Sequence, residues 1–475
     1  MLAAMSSAAL RPSPQATAAS RDLGDACPGT LRLHAADDGA LARVRIPGGV
    51  LTTAQAETLA EVTRRLGDGD LHLTSRGNVQ VRGLADDCGA ELASLLTESG
   101  LLPSPTHERV RNIVASPLSG LDGHGHSHGH GHFAVRPWLT ALDTALCASE
   151  PARGLSGRFL FALDDGRGDM TGLDADVTLR ATADGDAELG LGACDASGAA
   201  ALRISAEDAP GAALAAAETF LELAVEAAIR APGGRVWRVA ELPLTEGELL
   251  DAVGRRLTAG GIGHERRART TDRTDGPAPG AVRNGLSVHV PLGRLSAAQW
   301  RELTRIASTG CGAGELRLTP WRGVVLPTQA PPTATAPGTG AATAAATAAD
   351  AHESLARLAA TGLVTDPGSP WLRVGACIGQ PGCAKSRADV RTDAAGALDA
   401  VSPYGLPVYW SGCERRCGHP RGDRVDVVAA PEGGGYRLSR AVEGAEPRST
   451  FTDLDHPSDL ATALAAIDAT TAITI

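Results

Sequence analysis

The sequence predicts an α+β protein built by internal duplication. Three observations carry that expectation: one stretch of sequence that occurs twice, a longer mixed segment after each copy, and four cysteines in two clips near the C-terminus. The first copy reads RIPGGVLTTAQAETLAEVTRRLGDGDLHLTSRGNVQVRGL from Arg45, and the second HVPLGRLSAAQWRELTRIASTGCGAGELRLTPWRGVVLP from His289. Leu51 matches Leu295, Gln55 matches Gln299, Thr74 matches Thr319 and Gly77 matches Gly323, all in the same order, which marks a repeat. The order along the chain is small, large, small, large.

Residues 1–30 are Ala/Ser/Pro-rich, without the basic start and sustained apolar run of a signal peptide, and are expected to be a disordered tail. The first small domain, 31–104, opens its helix with Thr52 and Gln55 at capping-box spacing. Leu59, Val62 and Leu66 form its apolar stripe, and Gly67 is expected as a left-handed helix end. In the strand pair that follows, Leu71, Leu73, Val79 and Val81 face one way; His72, Thr74, Arg76, Asn78, Gln80 and Arg82 face the other. That second face is either solvated or functional. The duplicate keeps Thr319 and Arg322 at matching places, which favours a functional face.

The first large domain, 105–262, has strand-like Arg158–Asp165 and Val177–Thr182 and a helical stretch from Gly211 to Ile229. Its DDGRGD segment (Asp164–Asp169) reads as an acidic turn rather than a cation site. Residues 263–283 are expected as a linker, made up of the loop-like run from His264 to Arg283 and the glycine before it. The second small domain, 284–362, repeats the capping box at Ser296 and Gln299, the stripe at Leu303, Ile306 and Ala307, and the terminal glycine at Gly310. It carries a low-complexity insert at 327–351. The His-Gly tract His124–His132 reads as an exposed loop that binds metal adventitiously, because a catalytic site needs rigid support. Residues 363–475 form the second large domain, which holds the clips.

At 475 residues the chain exceeds one core, and a net charge of −11 argues against nucleic acid as main partner. Aromatic residues at 3% leave few stacking platforms. No run approaches the ~18–20 apolar residues of a membrane span. Nine cysteines, five of them scattered (Cys27, Cys88, Cys147, Cys194, Cys311), argue for reduced thiols and a cytoplasmic setting. The clips are Cys377-x5-Cys383 and Cys413-x3-Cys417, in ACIGQPGCAKS and SGCERRCGHP. Four thiolates from two glycine-flanked loops suit a [4Fe–4S] cluster, one sulfur per iron. Zinc, the competing occupant, usually closes tighter knuckles; unligated core thiols are the remaining reading.

TSRGN around Arg76, RNIVASPLSG from Arg111, RFLFALDDG from Arg158, CIGQPGCAKS and the SGCxxxCxHP ending on His419-Pro420 together resemble the nitrite/sulfite reductase superfamily. Within it they look most like the oxygen-using precorrin-3B synthase branch of cobalamin biosynthesis. The resemblance covers the chain from about Leu31 onward. It implies a nitrite/sulfite reductase-like α+β fold, with two ferredoxin-like half-domains and two larger domains in pseudo-two-fold duplication. It also implies a macrocycle cleft in which Arg76, Arg111 and Arg158 bind carboxylates, chemistry that suits bidentate guanidinium donors.

The reductases of this superfamily carry a Lys-x-Lys pair in the central strand; here Arg158 and Leu160 match it. The reaction implied is O2-dependent hydroxylation of precorrin-3A with lactone formation. Electrons come from ferredoxin, or from NAD(P)H through a reductase. The resemblance further implies a mononuclear non-haem iron, with His72 and His419 as candidate ligands by motif position. The alternative is a ferredoxin-dependent sulfite or nitrite reductase with sirohaem, in which Cys417 bridges to the macrocycle metal.

Overall fold

The computed structural model describes residues 27–121, 133–193, 199–230, 235–309, 312–328, 340–401, 405–420, 422–431, 434–442 and 452–465. The His-Gly tract, Gly310, Cys194 and Cys311 lie outside the described residues. No described helix is long and apolar enough to cross a membrane.

In each repeat the expected capping box forms. Thr52 and Ser296 accept from the backbone N–H of Gln55 and Gln299, whose side chains accept from the cap N–H groups in return. The helices they start, Thr53–Leu66 and Ala297–Ser308, pack on one another. Trp300 Nε1 donates to Ala56 O at 2.8 Å across that contact. Leu59, Val62, Leu303 and Ile306 join Leu71, Val79, Val81 and Leu316 in one continuous core, so the two small domains share an interior.

They also share their edges. The first repeat's sheet runs Ala40–Val44, Val79–Leu84, Leu71–Leu73 and then Arg294–Leu295, a strand from the second repeat. The second repeat's sheet runs Gly280–Val282, Gly285–His289, Gly323–Pro327, Glu315–Leu318 and then Val50–Thr52, from the first. Each copy closes the other's open edge, which would otherwise leave unpaired backbone groups.

The two large domains have a common plan. In the first, Ile113–Ala115, Phe161–Asp164 and Val177–Ala181 are parallel, and antiparallel strands Ala187–Leu191, Ala200–Ile204 and His264–Ala268 complete the sheet. In the second, Val374–Ala376, Val408–Ser411 and Arg424–Ala429 are parallel, followed by antiparallel Tyr436–Ala441 and Thr452–Leu454.

Three local expectations are corrected. Gly67 has φ −114 and is not left-handed. It is required for close approach, since a Cβ there would lie 2.8 Å from Arg82 O. His264–Ala268 is an edge strand rather than linker, its charges facing solvent as edge strands favour. The end of the low-complexity insert enters a helix, Gly340–Ala360, where alanine's helix propensity prevails.

Candidate functional site

Cys377 follows the strand Val374–Ala376 and Cys413 follows the adjacent parallel strand Val408–Ser411. Both clips therefore leave the carboxyl ends of neighbouring strands, where open α/β sheets bind ligands. Gly412 stitches them together: it donates its N–H to Cys377 Sγ at 3.3 Å and accepts from Arg387 N–H at 2.9 Å. No side chain fits at Gly412, because a Cβ would meet Ser386 Oγ at 1.7 Å.

All four cysteines are free thiols. Burial pushes Cys377 upward against the opposing pull of the Gly412 and Gly379 N–H groups, with Cys413 and Cys383 adding to the rise, and burial with Cys377 and Cys413 as neighbours pushes Cys417 upward. The four sulfurs thus share one electrostatic environment. Among the described residues, however, only Asp164, Asp165 and Asp169 bring three ligand atoms within 4.8 Å of one another. Four thiols on two adjacent loops, one of them already accepting a backbone N–H, are a donor set that fits a [4Fe–4S] cluster.

Each repeat grips one clip. From the first, Arg82 donates to Gly382 O at 2.7 Å while Asp38 holds it with two bonds at 2.8 and 2.7 Å. From the second, Arg322 lies beside Gly418 and interacts with Tyr409, whose hydroxyl donates to Cys417 O. Arg322 takes φ +58 at the turn position that Gly77 holds in the first copy at φ +64, so the turns pair Gly77 with Arg322 and not, as the sequence match suggested, with Gly323. The polar face of the first repeat is therefore internal. His72, Asn78 and Arg82 are buried against other domains, with Asn78 Nδ2 donating to Asn112 Oδ1 at 3.0 Å.

The three arginines singled out by motif part company. Arg76 is partly buried and donates to Gly157 O at 3.4 Å. Burial, then Arg238 and Arg45, push it down to about 9. Arg158, next to that glycine, is exposed and lies 4.6 Å above the Trp237 ring, a cation–π contact that orients it. Arg111 is buried with its guanidinium engaged by Asp143, at 2.8 and 2.7 Å, and by Leu101 O at 3.0 Å. Its donors are used internally, which supports a strut rather than a carboxylate-binding role.

Sequence reading missed Arg45. It is buried and donates to Cys27 Sγ and Gly157 O, both at 3.3 Å, while its Nη1 has no partner among the described residues. Arg238 is paired with Asp176 at 2.6 Å. Arg45, Arg76 and Arg238 thus face the compensating Asp176 carboxylate and the Cys27 thiol, a locally cationic region suited to an anion. Only the repeat alignment, which sets Arg45 opposite His289, could have flagged Arg45.

Leu160 is 2% exposed, in an apolar nest with Val114, Ala162, Met170, Leu173 and Ala175, and Trp321 packed beside it. Lys385 is the sole lysine of the chain and is exposed on the cysteine loop. His72 Nδ1 accepts from Arg391 at 3.3 Å and its Nε2 lies 3.6 Å from Asp68. His419 Nδ1 donates to Pro420 O at 3.0 Å. These two histidines assemble no iron triad with a carboxylate among the described residues. Asp164 accepts from the N–H groups of Gly166, Gly168 and Met170, Asp165 pairs with Arg167, and Asp169 accepts from Ser116. The acidic segment braces its own turn.

The model of the nitrite/sulfite reductase ferredoxin-like half domain matches residues 34–99 and 281–331. The ferredoxin–nitrite reductase of Synechococcus elongatus is 25% identical over 416 residues, covering 82% of this chain and 76% of that protein. A precorrin-3B synthase of Sinorhizobium sp. is 26% identical over 450 residues, covering 90% and 85%. The structure of Mycobacterium tuberculosis NirA superposes with TM-score 0.59 at 17% identity, over 89% of this chain and 79% of that one.

Proposed function

We propose, for a chain that carries the nitrite/sulfite reductase half domain in both repeats and has the corresponding fold, that it is an oxidoreductase of the precorrin-3B synthase type. Its substrate is precorrin-3A, a polycarboxylated tetrapyrrole of cobalamin biosynthesis. One oxygen atom of O2 enters the macrocycle as a hydroxyl and a ring-A acetate closes a lactone; the second oxygen leaves as water with two electrons and two protons.

The observation that carries this reading is the proton supply. Reduction of sulfite or nitrite needs a proton at each electron step, from a group that titrates. Around Arg76 and Arg158 the cations are guanidiniums, and even Arg76, pushed down to about 9, keeps its proton at neutral pH. The neighbouring strand position is Leu160, sealed in apolar side chains. The one lysine lies exposed on the cysteine loop. Such a site can hold a large anion without feeding protons to a small one.

In this reading Arg76 and Arg158, with Arg45 behind them, bind the substrate's carboxylates, and Trp237 fixes the plane of Arg158. Arg111 keeps the RNI segment in register through Asp143. Cys377, Cys383, Cys413 and Cys417 would hold a [4Fe–4S] cluster, which supplies one-electron transfer from ferredoxin or an NAD(P)H-linked reductase.

The second reading, a ferredoxin-dependent nitrite or sulfite reductase with sirohaem, is favoured by the similarity to the Synechococcus enzyme across 82% of the chain. One experiment separates them. Purified protein is given precorrin-3A, a reductant and ¹⁸O2, and in parallel sulfite or nitrite with sirohaem and a strong artificial donor. Label in the product with negligible oxyanion reduction is the expected result. Product formed under strict anoxia, or robust sulfite reduction, overturns the proposal.

A further inference from the structure

The charges around the two clips are unequal in a way the proposed reaction leaves unused. Arg82 touches the clip, but Asp38 cancels its charge. Arg416, in the second clip, is 3.3 Å from Glu414 and 3.4 Å from Asp426. Arg391 has no such partner: its described bonds go from Nε to Cys377 O and from Nη1 to His72 Nδ1, both at 3.3 Å and both to neutral acceptors. Burial, then the nearby Arg322 guanidinium, push Arg391 down to about 10, with Tyr409 and Cys377 acting the other way. The fold therefore holds an uncancelled cation against the carbonyl of a cysteine and sets a second cation behind it.

We infer that Arg391 is the counter-charge of a [4Fe–4S] cluster held by the four cysteines, and that it sets the potential at which that cluster accepts an electron. This rests on the reading of the clips as cluster ligands. Four thiolates make such a cluster a net anion, and reduction adds one more negative charge. A fixed cation in a poorly solvated site favours that step, since charge and hydrogen bonding around the sulfurs tune these potentials. The bond to Cys377 O makes Arg391 a positioning residue as well.

The test is a redox titration of the as-isolated full chain, followed by electron paramagnetic resonance, with iron and sulfide analysis alongside. Arg391→Gln should keep its iron and shift the one-electron equilibrium at least tenfold toward the oxidised form, about 59 mV in midpoint. Arg391→Lys, which keeps the charge, should stay within threefold of the parent. A fully loaded Gln variant at the parent potential overturns the inference, as does a Lys variant displaced as far as Gln. Should Gln lose its iron, a Lys variant that retains iron at the parent potential supports the charge role; loss from both makes Arg391 a strut and overturns it. If the parent chain holds no iron–sulfur at all, it is the cluster reading that fails.

Discussion

Arg45 and His289 occupy the same place in the two repeats, and the exchange changes what each half can bind. Arg45 brings a guanidinium beside Arg76 and Arg238. His289 is buried with its Nε2 unpartnered among the described residues, and burial, then Arg322, push it down to about 4. Above pH 6.5 His289 is neutral whether the chain is folded or not. As pH falls from 6.5 toward 4, the unfolded chain takes up a proton that the folded one refuses. Stability should fall across that window by up to about 3 kcal/mol and then level off for this group. His289→Asn should flatten this part of the slope, read as urea midpoints at pH 7 and 4.5; equal slopes in the two proteins would refute it. On the other side, Arg76→Ala should weaken tetrapyrrole binding by about 1.5–3 kcal/mol, the worth of a charged hydrogen bond, measured by fluorescence quenching or calorimetry. Arg76 and Arg158 could be picked out because their motifs are local. Arg45 could be reached only through the repeat alignment, and Arg238 and Arg391 could not, because their partners Asp176 and His72 are far away in sequence.

At the scale of elements, short-range rules were readable and long-range pairing was not. The capping boxes at Thr52 and Ser296 and the alternation through Leu71, Leu73, Val79 and Val81 need only neighbouring residues, and the structure has them. The pairing of Leu71 with Leu295 and of Leu51 with Leu316 involves strands of two to four residues, too short to carry a signal of their own. Gly67 fails for a related reason: its demand comes from Arg82 O in the next strand. Trp300 joins the repeats, so Trp300→Ala should cost about 3–5 kcal/mol through the cavity it leaves. Trp300→Phe, which mainly gives up the bond to Ala56 O, should cost about 1 kcal/mol. Denaturant unfolding measures both, and similar costs would mean the helix contact is not tight. Residues 31–104 expressed alone should lack a stable fold, seen as poor amide dispersion, because the sheet edge at Leu71–Leu73 is then uncovered.

Across the whole molecule the duplication is plain but the two halves have diverged in chemistry. Both large domains run three parallel strands and then antiparallel ones. At the carboxyl ends of the first two, one domain has Ser116 and the acidic turn, the other the cysteine clips. That the half domain occurs twice could be read from the repeat. That the polar hairpin face would be buried between domains could not, since a solvated face and an internal one use the same residues. Cys413→Ser should lower bound iron and sulfide from about four each per chain toward zero, with the fold retained because the sheet does not pass through the clip; elemental analysis and circular dichroism check the two halves of that statement. Full iron in the variant would remove Cys413 from the ligand set.

The exchange of edge strands also fixes a timetable for biogenesis. Leu51 waits for Leu316, so the second repeat's sheet cannot close until the ribosome has delivered more than half of the chain. At about 5–20 residues per second that interval is roughly 13–50 s, during which the apolar face of the first repeat helix has no mate. Nascent chains halted before residue 290 should be cleaved by protease within the first repeat and should bind hydrophobic-surface chaperones. Chains released after residue 330 should resist cleavage there. Late pairing of this kind slows folding, and it makes the supply of chaperones, more than the strength of the finished interior, the limit on yield when the chain is made quickly.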